Sequence, residues 1–517
     1  MKPFLRKPLN PFPLDHHMNL IPEAPGPAPN YWCTWNLQEH VVNESQGKAN
    51  IRNILSEDFL LGDDGWAKKM FPLVRGDLYL LLDDGWDIPR IPEGGPDVQK
   101  RYLRDYLSSF MLDPSKWSRF QGDPAERLLA LNNAVKQEGW KGIGLWVAAQ
   151  EARRFKGNAP VLQSRYWRER FQWSKAANVM YWKVDWGMKC IFGLFRKHLT
   201  RLGHQIAPGL LVEHAPVWGP FNDKDRSGRA PPGFLKRSRA FLKFSDIYRL
   251  YDVCFDLGTA SMLDRLVGVL RQTVKTRKPE KARQILHVED EVYIAAAMGC
   301  TMGIMRHPLR GIHTKMQECV RAVRWERIAP PFGASEMPVT ISEKILFDTW
   351  HFVPGSFWDK SVIDKTIRQG APAMITRGLP LPMMQDAAIV ADDDIPFVIG
   401  SLNPNGAVSI ASLGRTQEDR GYHAPRAKIN LILPSWRDPI GIFGEFDQLV
   451  LEFPGLGESQ VWMQDLGTDK AENITDYLVQ DQNQLVIPGE IIRRIGTESN
   501  PENDPSGPGV VVKIEMI

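Results

Sequence analysis

Eight short apolar runs, nearly every one closed by a polar or charged group, constrain this chain more than any other feature. They are YWCTW (31–35), DLYLLL (77–82), GIGLWVA (142–148), VMYWKVD (179–185), GLLVEH (209–214), IYRLYDV (247–253), ILHVED (285–290) and TMGIMR (301–306). Runs of this length and composition read as buried strands. Between several of them lie stretches such as PAERLLALNNAVKQEG and MKCIFGLFRKHLTRLG, whose apolar residues recur three and four apart, the period of a helix packed on one face. Strands alternating with helices make a parallel sheet, and eight such units close into a (β/α)₈ TIM barrel, with the active site at the carboxyl ends of the strands. Polar groups gather at that end: Asp83 and Asp84, Gln150 and Glu151, Lys183 and Asp185, Glu213 and His214, Asp252, Glu289 and Asp290, Arg306 and His307. One charge at a strand end marks where the chain leaves the core; so many at the same end point to a site.

Beyond about Pro330 the character changes. FVIGSLNPNGAVSIASLG, AKINLILPSW, FDQLVLEFPG, NQLVIPGEIIRRIG and GVVVKIEMI are short, rich in β-branched residues and separated by Gly, Pro and Asn turns, which reads as an antiparallel β-sandwich. The expected organisation is a proline-rich arm over 1–29, the barrel over 30–330 and the sandwich over 331–517.

Charge excludes some classes of partner. With 64 Lys and Arg against 61 Asp and Glu, the chain has no field that favours nucleic acid or a membrane surface. The N-terminal arm lacks an apolar core of signal-peptide type, and the run from Tyr293 to Met305 is too short to span a bilayer, so a soluble, cytoplasmic protein is expected. The five cysteines form no C-x-x-C pair, which speaks against a disulfide framework or a zinc ligand set. His16 and His17 have no partners at ligand spacing and read as a solvated terminus. Seventeen tryptophans are many for this length and suit sugar stacking as well as core packing.

The tetrapeptide DDGW occurs twice, at 63–66 and 83–86. Paired carboxylates beside an indole suit a sugar, the acids accepting hydroxyl hydrogen bonds and the ring covering an apolar face. Only the second copy follows an unbroken strand-like run, LYLLL; the first leads into AKKMFP and reads as a βα-loop segment, either a structural turn, the favoured reading, or part of the pocket rim. In YWKVDWG, Asp185 ends a strand of large apolar residues, and a carboxylate there needs a cationic neighbour, which Lys183 offers from the same strand face. An oriented, ionised carboxylate is the nucleophile of a retaining glycosidase, and a second carboxyl roughly 5 Å away serves as acid and base. Asp252 in RLYDV fits the second role, with Arg249 beside it.

The order LLLDDGW, GLW, YWKVDWG, LLVEHAPVWG, RLYDV resembles the catalytic barrel of the melibiase-type α-galactosidases, families 27 and 36 of the glycoside hydrolases. The resemblance spans roughly residues 30 to 310 and extends to a C-terminal β-sandwich. It implies a retaining, exo-acting α-glycosidase with Asp185 as nucleophile, Asp252 as acid/base and Lys183 as a sugar-hydroxyl ligand. Asp83, Asp84 and Trp86 would hold the far end of the terminal sugar, Trp35 and Trp146 would line the pocket, and Arg249 would flank the acid. Glu213 and His214 fall where the family reads its substrate; Glu289 or Asp290 would bind ring hydroxyls or cap the next helix. The partner implied is a carbohydrate, with no cofactor and no metal. The chain departs from the pattern at EHAPVWG, in lacking the glycine-rich S-x-x-G-G-G motif of family 36, and in an R-x-x-D spacing that keeps Asp246 and Asp256 as alternative acids. Rival readings are a transglycosylase, a sugar-binding barrel without turnover, and a metal-dependent barrel hydrolase using His204, His214, His287, Glu289 and Asp290. The last lacks the H-x-H pair such barrels carry after the first strand.

Overall fold

A computed structural model describes residues 18–45, 50–93, 95–156, 162–215, 239–250, 258–272, 282–309, 315–351, 366–385 and 390–517. Each of the eight predicted runs contains a strand: β1 (Asn30–Cys33), β2 (Leu78–Leu82), β3 (Gly142–Val147), β4 (Tyr181–Val184), β5 (Leu211–His214), β6 (Ile247–Arg249), β7 (Ile285–Glu289) and β8 (Thr301–Ile304). They pair in sequence order, all parallel, and β8 closes on β1. Every described barrel-strand residue is buried, as a sheet covered on one face by helices and filled on the other requires.

Local chemistry sets the helices. Pro124–Gln137 starts on a capping box, in which Asp123 accepts from the Ala125 and Glu126 amides while Glu126 reaches back to the Asp123 amide. The helix predicted to follow β4 from Met188 begins later, at Gly193, and runs to Ile206. The reason is the segment between, which turns back over the end of β3: the Lys189 amide donates to the Ala149 carbonyl at 2.8 Å. Gly187 makes that close approach possible, since its φ is 137° and a Cβ would lie 2.7 Å from the Ala149 nitrogen.

Outside the barrel, an eight-stranded and a five-stranded sheet carry the C-terminal region. They are mixed, not purely antiparallel: Met374–Arg377 runs parallel to Phe397–Leu402, Val408–Leu413 to Ile440–Gly444, and Lys428–Ile432 to Gln448–Glu452. Helix Met316–Ile328 joins barrel to sheets. From it Arg321 forms a fully buried two-point ion pair with Asp465, at 2.8 and 3.1 Å. No described helix is long and apolar enough to cross a membrane.

Candidate active site

Along a strand, side chains alternate between the barrel axis and the surrounding helices. In β4, Tyr181 and Lys183 face the axis, as does Asp185 one residue beyond, whereas Trp182 faces out and stacks on Phe171 at 4.0 Å. Inward side chains at the ends of seven strands, β1 to β7, then converge into one polar cluster. Lys183 Nζ lies 3.2 Å from Asp83 Oδ2, 3.2 Å from Glu289 Oε1 and 3.7 Å from Cys33 Sγ. Arg249 reaches across from β6 to Asp185 Oδ1 at 2.9 Å and to Glu289 Oε1 at 3.1 Å, with its Nε 3.9 Å from Glu213 Oε1. The Trp146 indole donates to Asp185 Oδ2 at 3.2 Å. Tyr31 donates to Glu289 Oε1 at 3.0 Å, and Tyr181 to Glu213 Oε2 at 2.6 Å.

So many charges in one enclosed space shift one another. Burial alone would lower Lys183, but Asp83, Cys33 and Glu289 hold its ammonium well above the usual lysine range. Burial would likewise raise Glu289; Arg249 and Lys183 overcome it and bring the carboxyl down to about 2. Glu213 shows the opposite balance, its burial prevailing over Arg249 and pushing it up to about 7. Asp84 is also raised, by burial, against the pull of Arg52. In exposure one carboxylate stands apart. The side chain of Asp185 is 11% exposed, against 5% for Asp83, 2% for Asp84 and none for Glu213 or Glu289.

The two DDGW copies have different fates. Asp83 joins the cluster, and Asp84 pairs with Arg52 at 2.7 Å, leaving its buried Oδ1 without a protein partner. Gly85 has a φ of 113°, and a Cβ there would lie 2.6 Å from the Arg52 carbonyl oxygen, so the turn needs glycine. Lys116 fastens the same turn, donating to the carbonyls of Arg52 and Gly85. In the first copy Asp63 and Asp64 are exposed, Asp64 pairs with Lys69 on the surface, and Trp66 packs on Trp32. That copy is a structural turn.

Several expected site residues lie elsewhere or act otherwise. Trp86 is fully enclosed, donates to the Trp146 carbonyl at 2.8 Å and packs edge-on against Phe110, so it supports Trp146 from behind. His214 faces away from Glu213, as alternation requires, and its ring nitrogens meet Thr200 at 2.8 Å and Arg196 at 3.3 Å behind the barrel. The cation at Asp185 is Arg249; Lys183 is held by Asp83 and Glu289. Asp290, with a φ of 54°, accepts from the Met305 amide at 2.6 Å and so ties β7 to the end of β8; the following helix receives no side-chain cap. Asp246 precedes β6, at the opposite end of the barrel, bound to His204 at 2.8 Å and to the Val212 amide at 3.1 Å. Asp252 and Asp256 lie outside the described residues. Trp35 is half-buried at the start of helix Trp35–Glu44 and packs against the inner barrel residues.

Other residues here carried no signal of their own in the sequence, or an unused one. Trp186 directly follows Asp185; its half-buried ring lies 5.7 Å from Trp146, with the Arg52 guanidinium 5.8 Å above it. Tyr31 and Tyr181 were accessible from strand alternation once the strands were assigned, and His287, named above only as a metal ligand, bonds to Tyr31 at 3.0 Å and to Thr301 at 3.0 Å. Arg52, on the four-residue helix Ile51–Ile54, carried no signal. Among the described residues no group of three or more His, Cys, Asp or Glu is arranged to hold a metal ion.

Fold and site together define a parallel (β/α)₈ barrel with a dense cluster of buried charges at its strand ends and a β-sandwich appended. No protein-family profile matches the chain, and no curated protein matches its sequence. Among solved structures it is similar to a glycoside hydrolase family 27 β-L-arabinopyranosidase of Geobacillus stearothermophilus (9% identity over 95% of this chain and 97% of that one, TM-score 0.41). It is also similar to α-galactosidase I of Mortierella vinacea (11% identity, 95% and 98%, TM-score 0.35) and an α-galactosidase of Saccharomyces cerevisiae (12%, 95% and 97%, TM-score 0.37).

Proposed function

We propose that this protein is a retaining, exo-acting α-glycosidase of α-galactosidase type, with Asp185 as nucleophile and Asp252 as acid/base. The observation that carries this reading is the fastening of Asp185. One of its oxygens meets Arg249 and the other Trp146, and it is the most open carboxylate of an otherwise sealed cluster. A nucleophile needs this combination of fixed orientation and access. Asp83, Asp84 and Lys183 close the pocket beside it, which suits a terminal sugar whose hydroxyls meet paired charges.

In the first step an Asp185 oxygen bonds to the anomeric carbon as the bond to the glycosidic oxygen breaks, and that oxygen takes the proton of Asp252. In the second a water gives its proton to Asp252 and its oxygen to the anomeric carbon, and the glycosyl–aspartate bond breaks to return the carboxylate. A panel of aryl α- and β-glycosides, including galactose, glucose, N-acetylgalactosamine and arabinopyranose, identifies the sugar. Asp185→Ala is then expected to lose turnover and to regain product release as a glycosyl azide when azide is added. Near-full activity of Asp185→Ala on a substrate the parent cleaves refutes the assignment.

A further inference from the structure

Behind β4 and β5, inside helix Gly193–Ile206, lies a fully buried guanidinium that the reaction does not touch. All five of its N–H groups have acceptors. Arg196 Nε donates to the Cys190 carbonyl at 2.6 Å; one terminal nitrogen donates to the Val184 carbonyl at 2.7 Å and meets His214 Nδ1 at 3.3 Å; the other donates to the carbonyls of Asp185 at 2.7 Å and Ala215 at 3.2 Å. With Nδ1 accepting, the His214 proton sits on Nε2 and faces Thr200 Oγ1 at 2.8 Å, whose hydroxyl turns back to the Arg196 carbonyl. Burial, and Arg196 itself, hold His214 well below the usual histidine range, so the ring stays a neutral acceptor.

Asp185 is thereby fixed at four points. Its amide donates to the Val147 carbonyl at 2.9 Å, its carbonyl accepts from Arg196, and its two carboxylate oxygens meet Arg249 and Trp146. The amide ties the backbone of Asp185 to the end of β3, and the Arg196 contact ties it to the end of β5 and to the turn at Cys190. Without it the carbonyl of a residue just past the strand loses its fixed donor.

We propose that Arg196 is a positioning residue for the chemistry at Asp185, locking the carboxyl ends of β4 and β5 so that the carboxylate keeps its attack geometry. The inference rests on Asp185 being the nucleophile. A shift of about 1 Å in a reacting group costs about 100-fold in rate.

The test uses Arg196→Lys and Arg196→Gln in the full chain, with Arg377→Gln as control. Arg377 is also fully buried and donates to two carbonyls, of Met298 and Gly333, but at the opposite end of the barrel. The substrate is the 2,4-dinitrophenyl glycoside of the sugar the panel identifies, whose leaving group needs no proton and so reports on the nucleophile. Thermal midpoints are read beside kcat and KM. Expected is a fall in kcat of about ten-fold for Arg196→Lys and about 100-fold for Arg196→Gln, with KM little changed, while Arg377→Gln loses stability and keeps kcat. Parent-like kcat in the folded Arg196 variants, or an equal loss in Arg377→Gln, overturns the proposal; if Arg196→Gln does not fold, Arg196→Lys decides. An active Asp185→Ala brings down the reading of the site itself. An inactive, azide-rescued Asp185→Ala beside a fully active Arg196→Lys brings down this inference alone.

Discussion

Replacing Lys183 by Met tests the electrostatic account of the pocket most directly. The side chain is 2% exposed, and its ammonium sits 3.2 Å from both Asp83 and Glu289. The substitution keeps most of the stem's volume and removes one cation from a cluster in which Lys183 and Arg249 face Asp83, Asp185, Glu213 and Glu289. Removing one partner of a buried, hydrogen-bonded ion pair costs about 3–5 kcal/mol, because the remaining charge stays desolvated. Two carboxylates are stranded here, but Arg249 still reaches Glu289, and Cys33 and the Asp84 amide still reach Asp83, so the lower part of that range is expected at neutral pH.

The pH dependence separates charge from packing. In the parent Glu289 is held down to about 2 against its burial. Losing Lys183 removes one of the two cations that oppose burial there, and the carboxyl's folded-state value rises. The deficit is therefore full above that new value and shrinks as pH falls through it, by about 1.4 kcal/mol per pH unit for each carboxylate that takes up a proton. Urea unfolding between about pH 3 and pH 8, followed by tryptophan fluorescence, measures this, and Glu289→Gln in the Lys183→Met background should recover part of the loss. A deficit independent of pH and unrelieved by Glu289→Gln would refute the reasoning and assign Lys183 to packing.

Asn at Asp83 or Asp84 is expected to lower kcat/KM by about 10- to 100-fold each, the worth of one hydrogen bond to a charged group at about 1.5–3 kcal/mol, whereas Asp63→Asn and Asp64→Asn leave it unchanged. Equal losses from both DDGW copies in steady-state assays would contradict their separation. Burial brings His287 down to about 3 against the pull of Glu289, so the folded protein holds it neutral where the unfolded chain protonates it. The stability this contributes is complete above about pH 6.5 and is lost as pH falls towards 3, at up to about 1.4 kcal/mol per unit. His287→Gln should flatten that part of the unfolding-midpoint curve; an unchanged slope would show that other groups set it.

Much of this was legible because strands declare themselves through local composition and alternate their side chains with period two. The eight runs mark the strands, and the polar residues at their ends mark one face of the barrel. The same alternation separates Glu213 from His214, since neighbours in one strand cannot both face the axis; placing both against the substrate overlooked it. The delayed helix after β4 was not legible. The apolar period continues back to Met188, and bonds between segments some 40 residues apart, of Lys189 and Trp186 to Ala149, hold the chain in another course there.

By itself, the sequence determined the strands, their order and the side of the sheet on which Asp83, Lys183, Asp185, Arg249 and Glu289 lie, because these follow from composition and a two-residue period. Only the tertiary structure decided who meets whom. Barrel closure brings Arg249 of β6 to the carboxylate at the end of β4, leaves Lys183 to Asp83 and Glu289, and seals Trp86 behind Trp146. Ion pairing in a buried site is settled by distances of 3 or 4 Å between segments distant in the chain, and no local pattern encodes those distances.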